Sequence, residues 1–168
     1  MKKYILIAVI AITSVLAGHA EAGDVSVAGQ VAIGYKHSLF GIGAQGQVEP
    51  VRNFRFAPEF LYFFKNNGWS AYNVNVNLHY MLRTSPSFAL YPLAGFAYAN
   101  YKYHYGYHSG FTYDYIDDDE SENCYGANVG MGAEYRITPA AAFFIEHRFQ
   151  VMSDHNQSVT AAGFKYTF

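Results

Sequence analysis

From Val25 to Phe168 the chain is dominated by a period of two, the pattern of strands whose successive side chains point to opposite faces. Val25, Val27, Val31, Ile33 and Tyr35 alternate with Ser26, Ala28, Gln30, Ala32 and Lys36. Phe40, Ile42, Ala44 and Val48 alternate with Gly41, Gly43, Gln45, Gln47 and Glu49. Phe54, Phe56, Pro58, Phe60, Tyr62 and Phe64 oppose Arg55, Ala57, Glu59 and Leu61, and Tyr72, Val74, Val76, Leu78, Tyr80 and Leu82 oppose Asn73, Asn75, Asn77 and His79. A fifth segment starts at Phe88, with Leu90, Pro92, Ala94, Phe96 and Tyr98 against Tyr91, Leu93, Gly95, Ala97 and Ala99. In the sixth, Tyr125, Ala127, Val129, Met131, Ala133, Tyr135 and Ile137 oppose Gly126, Asn128, Gly130, Gly132, Glu134 and Arg136. The last two set Phe143, Ile145, Phe149 and Val151 against Glu146, Arg148 and Gln150, and Ala162, Phe164, Tyr166 and Phe168 against Gly163, Lys165 and Thr167. Each segment has roughly the ten residues with which a tilted strand crosses a bilayer.

Alternation alone also suits a soluble sandwich, and the charges separate the two cases. The polar faces carry Glu49, Glu59, Glu134 and Glu146 with Arg55, Arg136, Arg148 and Lys165, four acids and four bases. A sandwich turns such faces to water, where no balance is required; a barrel in lipid turns them inward, where they must pair or lose solvation. Aromatic residues crowd the strand ends, among them Tyr35, Phe40, Phe64, Trp69, Tyr72, Tyr80, Phe88, Tyr91 and Tyr135, as in two interfacial girdles. An open sheet edge in hydrocarbon leaves peptide groups unsatisfied, so the sheet is expected to close. The predicted fold is all-β: an eight-stranded antiparallel up-and-down transmembrane β-barrel.

Composition agrees. The 168 residues are 51% hydrophobic and 18% aromatic but only 14% charged, against about 25% charged in a soluble domain. Disorder is excluded by this apolar content, and a mean hydropathy of -0.03 argues against a helical membrane protein. The single cysteine, Cys124, excludes an internal disulfide framework, and a net charge of -2 gives no general electrostatic fit to nucleic acid. Lys2 and Lys3 followed by the uncharged run from Tyr4 to Ala17 and by Ala20-Glu21-Ala22 form a secretory signal pattern, cut after Ala22 or after Ala20. Residues 1–22 are thus expected to be a cleavable signal peptide and 23–168 the barrel domain.

The connections alternate in character. Pro50-Val51-Arg52-Asn53, Arg83-Thr84-Ser85-Pro86 and Thr138-Pro139 are tight turns; His37-Ser38, Lys65-Asn66-Asn67-Gly68, the stretch from Tyr103 to Asn123 and Ser153-Asp154-His155-Asn156 lie at the opposite end. Short turns face the periplasm in outer-membrane barrels, so both termini are expected there.

The chain ends Gly163-Phe164-Lys165-Tyr166-Thr167-Phe168 and carries Tyr91-Pro92-Leu93-Ala94-Gly95 and Gly126-Ala127-Asn128-Val129-Gly130-Met131-Gly132. In these runs it resembles the small outer-membrane barrels of Gram-negative bacteria, the OmpX, opacity-protein and OmpA-transmembrane-domain group. Ala161 departs from the polar residue more often found in the terminal signal. The resemblance implies an outer-membrane location, contact with outer-membrane lipid and lipopolysaccharide, and an assembly signal read by the barrel-assembly machinery through Gly163, Tyr166 and Phe168. No separate periplasmic domain is expected after the eighth strand.

Candidate chemistry falls in two places. Glu49, Arg55, Glu59, Glu134, Arg136, Glu146, Arg148 and Lys165 are expected to form an interior charge network, either a structural plug or the gate of a narrow pore. Eight strands enclose a space that side chains fill, which favours the plug. The third outer loop carries Asp114, Asp117, Asp118, Asp119, Glu120 and Glu122 after Tyr101, Tyr103, Tyr105 and Tyr107. Tyr103, Tyr105, Tyr107, Asp117, Asp118 and Asp119 are the candidate surface for a protein partner, in the manner of an adhesin or receptor. The loop lacks the spacing of a dedicated calcium site, His104 and His108 lack a third metal ligand, and no metal or cofactor is expected. Lipid A deacylases of this barrel size resemble the chain around the seventh strand, where their His-x-Ser-Asn run meets His147-Arg148-Phe149 here, with phenylalanine in place of the serine. A grouping of His155, Ser158 and Asp154 can be drawn, but all three are expected to lie in one mobile loop, and a non-enzymatic envelope protein with a structural and loop-presenting role is the expectation.

Overall fold

The computed structural model describes residues 25–104, 119–153 and 156–168. Eight strands run in order: β1 (Val25–Gly34), β2 (Leu39–Val51), β3 (Phe54–Asn66), β4 (Trp69–Tyr80), β5 (Phe88–His104), β6 (Asp119–Arg136), β7 (Ala141–Met152) and β8 (Gln157–Thr167). Past Met81, β4 resumes for two residues, Leu82 and Arg83, opposite Leu90 and Ala89 of β5. Every strand pairs antiparallel with its neighbours in sequence, and β1 pairs with β8 from Ser26↔Thr167 to Gly34↔Val159, which closes the cylinder. Among the described strands no edge is left open, as hydrocarbon requires. Among the described residues no helix is long and apolar enough to cross a membrane.

The two faces are those that the alternation predicts. Along β1 and β7 burial switches at nearly every residue. Val31, Ile42, Phe60, Phe96, Met131, Ile145 and Phe164 stand on the outside, Met131 being 70% exposed, whereas Gln30, Gln45, Glu59, Asn75, Asn128 and Arg148 are buried within. This inversion of the usual soluble arrangement is stable only where the outer surface meets acyl chains.

Turn chemistry sets the hairpins. Between β3 and β4 only Asn67 and Gly68 remain outside the strands, with φ of 49° and 84°, left-handed values that suit Asn-Gly in a two-residue hairpin. Between β2 and β3 the turn narrows to Arg52 and Asn53, because Pro50 and Val51 belong to β2; Asn53 has φ of 71° and donates its N–H to Glu49 Oε1 at 3.1 Å. The β5–β6 pairing runs furthest, from Phe88↔Tyr135 to His104↔Asp119. Residues 1–24, which include the expected signal peptide, lie outside the described residues.

Candidate functional site

The inward faces stack into layers along the barrel. At the end that carries the longer loops lies an apolar layer of Leu39, Leu61, Phe63, Tyr101, Cys124, Met152 and Val159. Tyr101, grouped from sequence with the tyrosines of the third outer loop, is only 1% exposed and belongs to this layer. Beside it His37 stacks on Trp69 with ring centres 4.3 Å apart, and Trp69 meets Tyr103 at 4.7 Å.

Beneath comes a layer of amides. Asn128 Nδ2 donates to Asn77 Oδ1 at 2.8 Å and to Asn75 Oδ1 at 3.1 Å. Gln150 Nε2 donates to Asn128 Oδ1 at 2.9 Å and to Asn75 Oδ1 at 3.0 Å, while its own Oε1 accepts from Gln157 Nε2 at 2.8 Å and from Asn73 Nδ2 at 3.1 Å. Four strands are thereby tied through their side chains.

The central ionic layer is built on Arg148. Its Nη2 donates to Glu59 Oε1, and its Nη1 reaches Glu59 Oε2 at 3.0 Å and Glu146 Oε2 at 3.3 Å. Glu59 also accepts from Gln30 Nε2 and from Asn75 Nδ2, each at 2.8 Å. Glu146 accepts from the Tyr91 hydroxyl at 2.9 Å, and the Tyr91 ring stacks on His79 at 4.7 Å. Removing such charges from water costs several kcal/mol per ion, which the ion pairs and the hydrogen bonds from Gln30, Asn75 and Tyr91 offset.

A second ionic layer lies nearer the termini. Glu134 Oε2 accepts from Arg55 Nη1 and from Lys165 Nζ, both at 2.7 Å. Arg55 Nη2 stands 3.9 Å from Glu49 Oε2, and Glu49 also binds Arg83 Nη2. Arg83 closes the group by donating to Asn53 Oδ1 at 2.6 Å. Below this layer a cavity of about 210 Å³ opens, lined by Gln47, Glu49, Arg55, Glu134, Arg136 and Lys165 among others.

Of the eight charges read from sequence, the structure groups Glu59, Glu146 and Arg148 in one layer and Glu49, Arg55, Glu134 and Lys165 in another. Arg136 is placed differently: it is exposed at the last position of β6 and borders the mouth instead of entering the network. It shares a face with Glu134, but the barrel wall ends there. Sequence reasoning missed Arg83, which it assigned to a turn, together with Tyr91, His79 and the amides as binding partners of the ions. Their inward parity was the available signal.

The other candidates are spread out. Tyr166 and Phe168 stand on the outside with their rings edge to face at 5.3 Å, while Gly163 faces in against the backbone of Gly29. Tyr105, Tyr107, Asp114, Asp117, Asp118 and His108, like Asp154 and His155, lie outside the described residues, and of Asp119 only the backbone at the start of β6 is described.

A closed antiparallel cylinder with a predominantly apolar exterior and ion pairs within is an integral membrane β-barrel. The family model "Outer membrane protein beta-barrel domain" matches residues 8–168, and the chain belongs to that family. Its place is the outer membrane. Among solved structures, the N-terminal β-barrel domain of Pseudomonas aeruginosa OprF is similar in fold, with 15% identity over 88% of this chain and 98% of that one and a TM-score of 0.69. Neisserial surface protein A is similar at 15% identity, over 86% of this chain and 94% of that one, TM-score 0.63. Ail, the attachment invasion locus protein of Yersinia pestis, is similar at 14% identity, over 88% of this chain and 100% of that one, TM-score 0.59. No curated protein matches the sequence.

Proposed function

We propose that this protein is a non-enzymatic, plugged barrel that serves the outer membrane structurally and holds the β5–β6 connection outside the cell. The observation that carries the reading is the filled lumen. Arg148 and Gln150 are 0% exposed, and the apolar, amide and central ionic layers occupy the lumen with side chains. Lipid and lipopolysaccharide surround such a barrel, and the barrel-assembly machinery receives it through Gly163, Tyr166 and Phe168. Planar-bilayer recordings of the purified protein test the plug: a flat baseline is expected, and regular unit conductance steps at modest voltage contradict it.

A second reading is favoured by the extent of the β5–β6 pairing. Its ladder reaches His104↔Asp119, and β4 leaves it at Trp69↔Tyr103, so the two strands continue toward a connection rich in tyrosine and acid. Such a ribbon suits a receptor or adhesin that binds a basic protein surface; a role in attachment is named for Ail and enters here only as an analogy of fold. Deleting residues 105–118 should abolish surface binding without unfolding the barrel, and unchanged binding counts against this reading.

A further inference from the structure

On its outer face, toward the end that carries the longer loops, the barrel holds a polar cluster among apolar side chains. On β7 the outward residues are Phe143, Ile145, His147, Phe149 and Val151, so His147 stands between two apolar side chains on either hand. It lies opposite Thr160 of β8, which in turn lies opposite Ile33 of β1. His147 Nδ1 and Thr160 Oγ1 are 2.9 Å apart, and the Tyr35 hydroxyl, from just beyond β1, is 3.1 Å from the same oxygen. The Tyr35 ring meets the imidazole at 6.3 Å, edge on. His147 and Tyr35 are both exposed on this face.

Three polar groups in a chain have a fixed proton count. If the tyrosine donates to the threonine and the threonine to Nδ1, the proton on Nε2 of the neutral imidazole is left over. If the chain runs the other way, the hydroxyl proton of Tyr35 is left over. Either way one donor is left with no acceptor among the described residues, on a face whose neighbours along β7 are apolar, and an unsatisfied donor in such surroundings costs free energy comparable to a lost hydrogen bond. Tyr35 belongs to the aromatic girdle, and at that depth each acyl chain is joined to its lipid through a carbonyl, an acceptor within reach of the barrel wall.

We propose that Tyr35, Thr160 and His147 form a binding site on the barrel wall for the acyl carbonyl of a membrane lipid, which accepts the donor left over by this three-residue chain. Glycerophospholipids and lipopolysaccharide both carry that group. The site lies on the outer wall, so its fate is independent of whether the lumen conducts.

The test is native mass spectrometry of the whole barrel released from bilayers of three kinds: diester phospholipid, diether phospholipid of the same headgroup and chains, and diester phospholipid containing lipopolysaccharide. Wild type should retain a diester lipid or a lipopolysaccharide molecule but no diether lipid, and His147→Leu and the double variant Tyr35→Phe, Thr160→Val should each lose at least tenfold in retention. Retention of lipopolysaccharide alone identifies the source and supports the site. Equal retention of the diether lipid, unchanged retention in both variants, or no retained lipid in wild type overturns it. Heat-modifiable gel migration confirms that each variant is folded, and the double variant covers the case in which His147→Leu does not insert.

Discussion

Arg148 on β7 and Glu59 on β3 meet across the full width of the lumen, joined by two guanidinium-to-carboxylate hydrogen bonds, and neither is more than 1% exposed. In an eight-stranded cylinder these strands lie on opposite walls, so the pair is a strut. Arg148→Met strands Glu59 and Glu146 as buried, unpaired carboxylates and should cost about 3–5 kcal/mol, the penalty of breaking a buried pair from one side. Urea unfolding in detergent measures it. The triple variant Arg148→Met, Glu59→Gln, Glu146→Gln should recover most of that loss, since no lone charge remains.

Gly132 makes room for Tyr91. A Cβ at that position would lie 2.4 Å from the tyrosine Cζ and 2.6 Å from its hydroxyl oxygen. Gly132→Ala therefore displaces the ring and its hydrogen bond to Glu146, and a loss of about 1–3 kcal/mol is expected. The same substitution in a Tyr91→Ala background should cost far less. A double-mutant cycle read by urea midpoints decides it, and additive losses contradict the account.

The strands and their faces were legible in the sequence because a period of two is a local property. Depth was not. Arg136 and Glu134 share parity, yet only Glu134 lies within the wall, since β6 ends at Arg136. Parity likewise put Asn75, Asn128 and Gln150 inside, but their hydrogen bonds across the lumen depend on the stagger of strands that are distant in sequence. Thr160 and His147 met for the same reason, through a register that no motif encodes.

The Asn67–Gly68 turn sets the stagger of β3 against β4. Gly68 has φ of 84°, and Gly68→Val should cost about 1–2 kcal/mol, the penalty for a left-handed L-residue. Folding from urea into vesicles, followed by gel migration, should show a lower yield for this variant than for Lys65→Ala, which lies in β3 and asks for no unusual φ.

Loop and barrel should be separable. The β5–β6 ladder is complete from Phe88↔Tyr135 up to His104↔Asp119 without help from residues 105–118. Replacing that segment with a short glycine-rich link is expected to leave heat-modifiable migration and the urea midpoint unchanged within error. A barrel that no longer folds would place the segment in the folding unit.

The central claim is that one face of every strand touches acyl chains while the other is sealed from lipid and water alike. Methyl NMR in nanodiscs tests it directly. Val31, Ile33, Ile42, Val129 and Ile145 should show Overhauser contacts to lipid methylenes, whereas the inward Leu61, Leu93 and Val159 should show contacts to neither lipid nor water. Water contacts at Leu61 and Val159, or silence between the outward methyls and the lipid, would contradict it.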